Sequence, residues 1–215
     1  LIHEAETTSH RAKGSVKLLA VSKGQSCQKI EQAYAAGLRD FGENYLQEAL
    51  AKIETLHALR LCWHFIGPIQ SNKAKSIAQH FSWVHSVSSA NVAQRLNEAR
   101  PLSLPPLNIC LQVNFDEEQS KSGLHPNKVQ DVASHIQTLP RLHLRGLMLI
   151  PKPQTDEQLQ YSSFLRLTEL LNKLNQQLNL SLDTLSMGMS NDLQAAIYAG
   201  STIVRIGTAL FGKRT

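Results

Sequence analysis

Cysteine is scarce in this chain: three residues in 215, Cys27, Cys62 and Cys110, odd in number and far apart. That excludes a disulfide framework, and the absence of any Cys-x-x-Cys pair makes a zinc site unexpected. The usage suits a reducing cytosol, so a cytoplasmic location is expected. Long hydrophobic runs are missing too. The longest, Gly146 to Ile150, is strand-sized, far from the ~20 residues a membrane helix needs, so no membrane partner is expected. There is no Gly-x-Gly-x-x-Gly fingerprint for a dinucleotide. Lysine and arginine form no dense block, and neither an RNA-binding aromatic motif nor zinc-finger spacing occurs, so nucleic acid is not expected. The net charge of +5 points instead to a small anionic, phosphorylated ligand. Residue 1 is Leu, so the native N-terminus is expected to lie upstream.

What is present is alternation. Short apolar runs are expected as strands at Val16–Lys23, Asp40–Gly42, Leu61–Ile66, Ser82–Ser86, Leu107–Asn114, Leu142–Ile150, Leu182–Ser186 and Thr202–Ile206. Helical segments fall between them, at 28–36, after Glu43-Asn44-Tyr45 to about Leu59, at 73–80, 89–99, 127–138, 156–178 and 192–199. Residues 1–13 read as the end of a helix or a loose arm. Eight strand–helix units in one pass imply a parallel sheet, and in ~200–250 residues they match a closed (β/α)8 TIM-type barrel, one α/β domain over 1–215. An open doubly wound sheet is the runner-up. The leucines at 159, 167, 170, 171, 174 and 178 are expected to be a barrel helix's inner face, since no charged-flank heptad pattern is sustained.

Lys23 ends the first apolar stretch, in line with Leu19 and Val21 and followed by Gly24. An ammonium held there would lose hydration, its pKa would fall, and its amine would become a nucleophile for a carbonyl. The bland alternative is a packed stem with a solvated head. In such a barrel the site lies at the C-terminal strand ends, with phosphate at the loops after strands seven and eight. Those loops are Ser186-Met-Gly-Met-Ser190 and Gly207-Thr208-Ala-Leu-Phe-Gly212. Ser190 precedes a helix start, where it could bind an anion or simply cap. Gly207 would let the backbone approach closely before Thr208. Arg205 shares a strand face with Ile203 and cannot shed its proton, so it needs a partner. That partner is either a carboxylate, Asp183 or Asp40, or the ring nitrogen of a bound cofactor. An amine, a phosphate cradle and a ring-facing cation together match pyridoxal 5′-phosphate (PLP). A phosphosugar aldolase would use the first two and leave Arg205 idle.

Leu-Leu-Ala-Val-Ser-Lys23, Phe41-Gly-Glu-Asn-Tyr45, Trp63-His-Phe-Ile-Gly-Pro-Ile-Gln-Ser-Asn-Lys73, Lys121-Ser-Gly123, Gly146-Leu-Met148, Ser186-Met-Gly-Met-Ser190 and Val204-Arg-Ile-Gly-Thr-Ala-Leu-Phe-Gly212 span nearly the whole chain. On these segments it resembles the pyridoxal-phosphate homeostasis protein family, whose fold is like the barrel domain of alanine racemase. The resemblance implies PLP covalently on Lys23 as a Schiff base, phosphate contacts at Ser190, Gly207 and Thr208, Arg205 at the pyridine nitrogen, and Asn44 near the cofactor. It also implies a carrier or regulator in B6 and amino-acid homeostasis, without established turnover. Gly24 departs from a common threonine, and the proline often just beyond is replaced by Ser26-Cys27; a looser loop is expected.

The chemistry leans the same way. An arginine at the ring nitrogen keeps the pyridine unprotonated and a poorer electron sink. Only Lys213, Arg214 and Thr215 follow residue 212, so no second domain bearing an opposing base is expected. The alternative is a PLP-dependent racemase or lyase of unknown substrate. A monomer is expected, with PLP-accepting apo-enzymes as protein partners. His64 could shuttle a proton or be hydrogen-bonded structure. Gln70, Asn72 and Lys73 could form a partner or anion surface, or a cap and solvated charge. Lys121 could neutralise phosphate or help transfer PLP.

Overall fold

The computed structural model describes residues 1–115 and 122–212. Eight parallel strands close into a barrel in sequence order. They are β1 (Lys17–Val21), β2 (Asp40–Glu43), β3 (Cys62–Phe65), β4 (Trp83–Val87), β5 (Leu107–Val113), β6 (Leu142–Leu149), β7 (Thr184–Ser186) and β8 (Ile203–Ile206). The seam is the β1–β8 pairing, in register from Lys17 opposite Ile203 to Ala20 opposite Ile206. This is the α/β (β/α)8 barrel expected from the alternation. Among the described residues no helix is long and apolar enough to cross a membrane.

The helices are α1 (Ile2–Thr8), α2 (Cys27–Ala35), α3 (Leu46–Thr55), α4 (Ala74–His80, entered through a 3₁₀ turn at Ser71–Lys73), α5 (Ala90–Ala99), α6 (Pro126–Ile136), α7 (Glu157–Leu178), α8 (Leu193–Tyr198) and α9 (Thr208–Phe211). Side-chain oxygens of Ser26, Ser89 and Asp156 cap α2, α5 and α7 by accepting an N–H from the first turn. α7 buries Phe164, Leu167, Leu171 and Leu174. It thus puts an apolar stripe on the barrel wall, as expected for an inner helix face. α1 is an ordered helix rather than a loose arm. Its buried Glu6 accepts N–H bonds from Gly14 (3.1 Å) and Val16 (2.8 Å), which fixes the entry into β1.

Alternation along each strand sends one set of side chains outward to the helices and the other into the barrel. The outward set joins the large core, with Phe41, Phe65, Val84, Ile109 and Leu147 all fully buried. The inner set is unusually polar. Leu19, Val21, Ile66 and Ile203 form one small apolar cluster and Trp83, Cys110 and Met148 another. Between them lie buried His64, His85, Ser186 and Arg205.

Candidate functional site

A cavity of about 440 Å³ opens at the C-terminal mouth of the barrel. Its wall contains Lys23, Asn44, Ser190, Arg205, Gly207 and Thr208, so all six residues singled out in the sequence are brought to one place. Val21, Ile66 and Ile150 supply its apolar wall, and Gln25, Asn191 and Asp192 add polar groups that the sequence did not single out.

Strand β1 stops at Val21, and Lys23 stands two residues beyond it, half-buried in a turn rather than on the strand tip. The turn needs a left-handed residue, and Gly24 supplies it with φ +69°. A β-branched residue would be strained there. The loop is also pinned rather than loose. The Gly24 N–H donates to Glu48 Oε1 (2.6 Å), and the Lys52 ammonium donates to the Ser22 carbonyl (2.7 Å). Lys52 is itself buried and pairs with Glu43 (2.8 Å) and Glu48 (2.5 Å), while the Ser22 hydroxyl donates to Glu43 (2.6 Å). Burial raises the Glu43 carboxyl above its ordinary range against the pull of Lys52. These partners, at the end of β2 and on α3, lie 21 to 30 residues from the loop they hold. Nothing local in the sequence announces them, apart from a lysine on the face of α3 that carries Ala49.

Asn44 follows β2, and its Oδ1 is buried without a hydrogen-bond partner in the described structure. Gly67 sets the backbone around it: a Cβ at 67 would collide with the Asn44 carbonyl oxygen. Only glycine permits that approach of the β3 loop.

Across the mouth, the two loops after β7 and β8 face Lys23. α8 starts at Leu193 with Asp192 as its N-cap, so Ser190 is not the cap that the sequence suggested; it stands exposed two residues earlier. Asp192 Oδ1 accepts the Met189 N–H (2.6 Å), and burial raises its carboxyl pKa. α9, absent from the sequence reading, begins at Thr208. Its start leaves N–H groups outside the helix's own bonding. Gly207 is not sterically demanded: a Cβ there would meet the Val21 oxygen only at an ordinary 3.4 Å.

Arg205 is buried and pairs with neither carboxylate considered from the sequence. Asp183 is held by Arg145 and Asp40 by Lys17 and His64. Arg205 donates instead from Nη1 to the Ser186 carbonyl (2.6 Å) and hydroxyl (2.9 Å), and from Nη2 to the Leu149 carbonyl (2.9 Å). Desolvation lowers its pKa to about 10, which still leaves it charged at neutral pH. Of five guanidinium N–H groups these partners use three, so the Nε–H and one Nη2–H remain for the cavity that Arg205 lines. His64 is fully buried inside the barrel rather than at the mouth. Gln70 and Asn72 lie exposed in the 3₁₀ turn region. Lys121 lies outside the described residues.

The family described as alanine racemase, N-terminal domain, matches residues 1–215. The chain is 58% identical over 213 residues to the pyridoxal phosphate homeostasis protein of Pseudomonas aeruginosa, covering 99% of this chain and 91% of that one. To the protein of the same name from Escherichia coli it is 45% identical over 216 residues, covering 99% and 92%. Among solved structures, PipY from Synechococcus elongatus with PLP bound superposes with a TM-score of 0.87 at 37% identity, covering 99% of this chain and all of that one. The alanine racemase of Corynebacterium glutamicum, at 17% identity and a TM-score of 0.69 over 99% of this chain and 59% of that one, shares the fold.

Proposed function

The chain belongs to the pyridoxal phosphate homeostasis protein family, built on the alanine racemase N-terminal domain, and from that premise we propose that it is a PLP-binding protein. It holds the cofactor covalently through Lys23 and takes part in intracellular B6 and amino-acid homeostasis. The observation that carries this reading is the convergence of an amine, an arginine and two anion-accepting loops on one cavity of about 440 Å³. That volume lies within the ~300–1,000 Å³ typical of small-molecule sites.

The residues fit the group. Lys23 supplies the amine for the aldehyde. Arg205 lines the cavity with two N–H groups beyond those its protein partners use, and these are the donors for a pyridine nitrogen, which can only accept while unprotonated. Ser190 and the Gly207–Thr208 turn take the phosphate through a hydroxyl and backbone N–H groups. Burial raises the Asp192 carboxyl, the direction that lessens its repulsion of a neighbouring phosphate. Asn44 is the residue that contacts the cofactor's ring substituents, and its partnerless Oδ1 supports that role. Val21, Ile66 and Ile150 shield the ring from water. PLP, when bound, supplies an electron sink for bonds at an attached amino group's carbon. Arg205 weakens that sink, because a guanidinium keeps its proton and leaves the ring nitrogen neutral. The site therefore favours holding PLP and releasing it to apo-enzymes over turning substrate over, and it needs no second subunit.

Purified protein incubated with PLP should be yellow, and borohydride should fix the cofactor's mass on the peptide containing Lys23. Lys23→Ala should stay folded and colourless. A wild type that takes up no PLP refutes the reading. Exchange of amino-acid α-hydrogens with solvent at rates well above those of free PLP would replace it with a racemase or lyase.

A further inference from the structure

A line of short hydrogen bonds runs through the barrel interior from one mouth to the other. Lys17 Nζ donates to Asp40 Oδ1 (3.0 Å), and the same oxygen meets His64 Nε2 (2.9 Å). His64 Nδ1 meets His85 Nε2 (2.9 Å), and His85 Nδ1 meets the Ser186 hydroxyl (2.7 Å). That hydroxyl accepts from Arg205 Nη1 (2.9 Å). Asp40 opens β2 and Lys17 opens β1, so this end lies at the N-terminal mouth and is partly exposed. Arg205, at the other end, lines the cofactor cavity. The links join residues 19, 21, 23, 24 and 101 positions apart, on six different strands.

The two ends dictate the direction of every bond between them. A guanidinium can only donate, and an ionised carboxylate can only accept. Asp40 is held at about 2, below the usual carboxylate range against a burial penalty, by His64 and Lys17. Burial pushes both histidines down, so each is neutral with one N–H. His64 must then carry its proton on Nε2, facing Asp40, and accept at Nδ1. His85 must carry its own on Nε2, facing His64, and accept at Nδ1. Ser186, accepting from Arg205, donates to His85. Each imidazole and the Ser186 hydroxyl thus donates once and accepts once along the line, with a single polarity, and Asp40 Oδ1 accepts at its end from both His64 and Lys17.

We propose that Ser186, His85, His64 and Asp40 are positioning residues for the cofactor cavity. Their polarised hydrogen bonds fix the Arg205 guanidinium at the pocket and couple it to a carboxylate at the opposite mouth. This deepens the PLP reading and rests on it for the identity of the ligand. The polarity itself does not depend on PLP.

The test has a cofactor-free arm and a loaded arm. In the protein without PLP, imidazole ¹⁵N shifts should report His64 and His85 as neutral with the proton on Nε2. Either ring protonated at Nδ1 instead overturns the proposal. Hydrogen exchange at the Arg205 Nε–H should speed about tenfold in Ser186→Ala, which removes one hydroxyl, and in Asp40→Leu, as expected from losing a bond to a charged group. Asp40→Asn, which keeps an accepting Oδ1, should stay near wild type. In the loaded arm, Ser186→Ala and Asp40→Leu should weaken PLP binding about tenfold. They should also shift the bound cofactor's absorption maximum, and Asn should rescue both effects. Folded Ser186→Ala protein with unchanged Arg205 exchange refutes the relay even if Asp40→Leu does not fold. A wild type that binds no PLP refutes the earlier reading, and the tautomers and Arg205 exchange then decide the relay alone.

Discussion

Replacing Lys52 by methionine removes one ammonium and keeps most of the stem volume. The perturbation strikes a dry site: the Lys52 side chain is 7% exposed and its partner Glu43 0%. Removing one member of a buried pair strands the other charge and costs about 3–5 kcal/mol. The lower end applies, because Glu48 is 29% exposed and Glu43 can relieve itself by taking up a proton. At pH 7 the loss should be about 3 kcal/mol. With an m-value of about 3 kcal/mol per molar for a chain of this size, that is a urea midpoint lower by about 1 M, read by circular dichroism. The pH dependence has a fixed sign. Without Lys52 the folded pKa of Glu43 stands further above its unfolded value, so folding of the variant takes up a proton and is penalised as pH rises. The deficit relative to wild type should therefore shrink from pH 7 toward pH 5. The Ser22 carbonyl also loses one of its two donors, keeping only the Gln25 N–H, so Lys23 should be held less firmly and PLP bound more weakly. A midpoint within about 0.3 M of wild type, or a deficit flat in pH, refutes the clamp.

Gly67→Ala should cost about 2 kcal/mol by driving a methyl into the Asn44 carbonyl, and it should weaken PLP binding in the same preparation. Thermal melting and cofactor titration of the one variant check both effects. Glu6→Ala should lower stability at neutral pH. The wild-type carboxyl is held at about 2, chiefly by its bond to His3, so its contribution is complete above the unfolded carboxylate range and fades as pH falls from about 5 toward 2. Urea midpoints of the two proteins should converge over that window; a gap constant in pH contradicts it.

The barrel was legible because βα alternation is written in periodicity and turn residues. Asp40-Phe-Gly is apolar enough to mark β2 although it holds only three residues. The boundaries slipped where chemistry at a strand end mimics the strand itself. Val-Ser-Lys23 keeps the strand's parity, yet the chain turns after Val21 because Ser22 is tied to Glu43 and Lys52. α9 was missed because four residues of Thr-Ala-Leu-Phe carry no period. Of the cavity's residues, Lys23, Ser190, Arg205, Gly207 and Thr208 were recognisable from residue type and strand position, whereas Asn44 came only from the family resemblance. The interior chain of hydrogen bonds was not, because its members are scattered from residue 40 to residue 205. A signal existed: Asp40, His64, His85, Ser186 and Arg205 all stand at positions that strand parity turns away from the helices. Five polar side chains at such positions are themselves an anomaly in a barrel interior.

The seam between β1 and β8 joins the first strand of the sheet to the last, in register over four residue pairs. On a ribosome, β1 emerges some 180 residues before its neighbour is made. Until then the nascent chain carries an open sheet edge whose hydrogen-bonding groups have no protein mate. Closure consequently waits until β8 has been made, and the dangerous interval for aggregation is the time needed to translate seven strand–helix units.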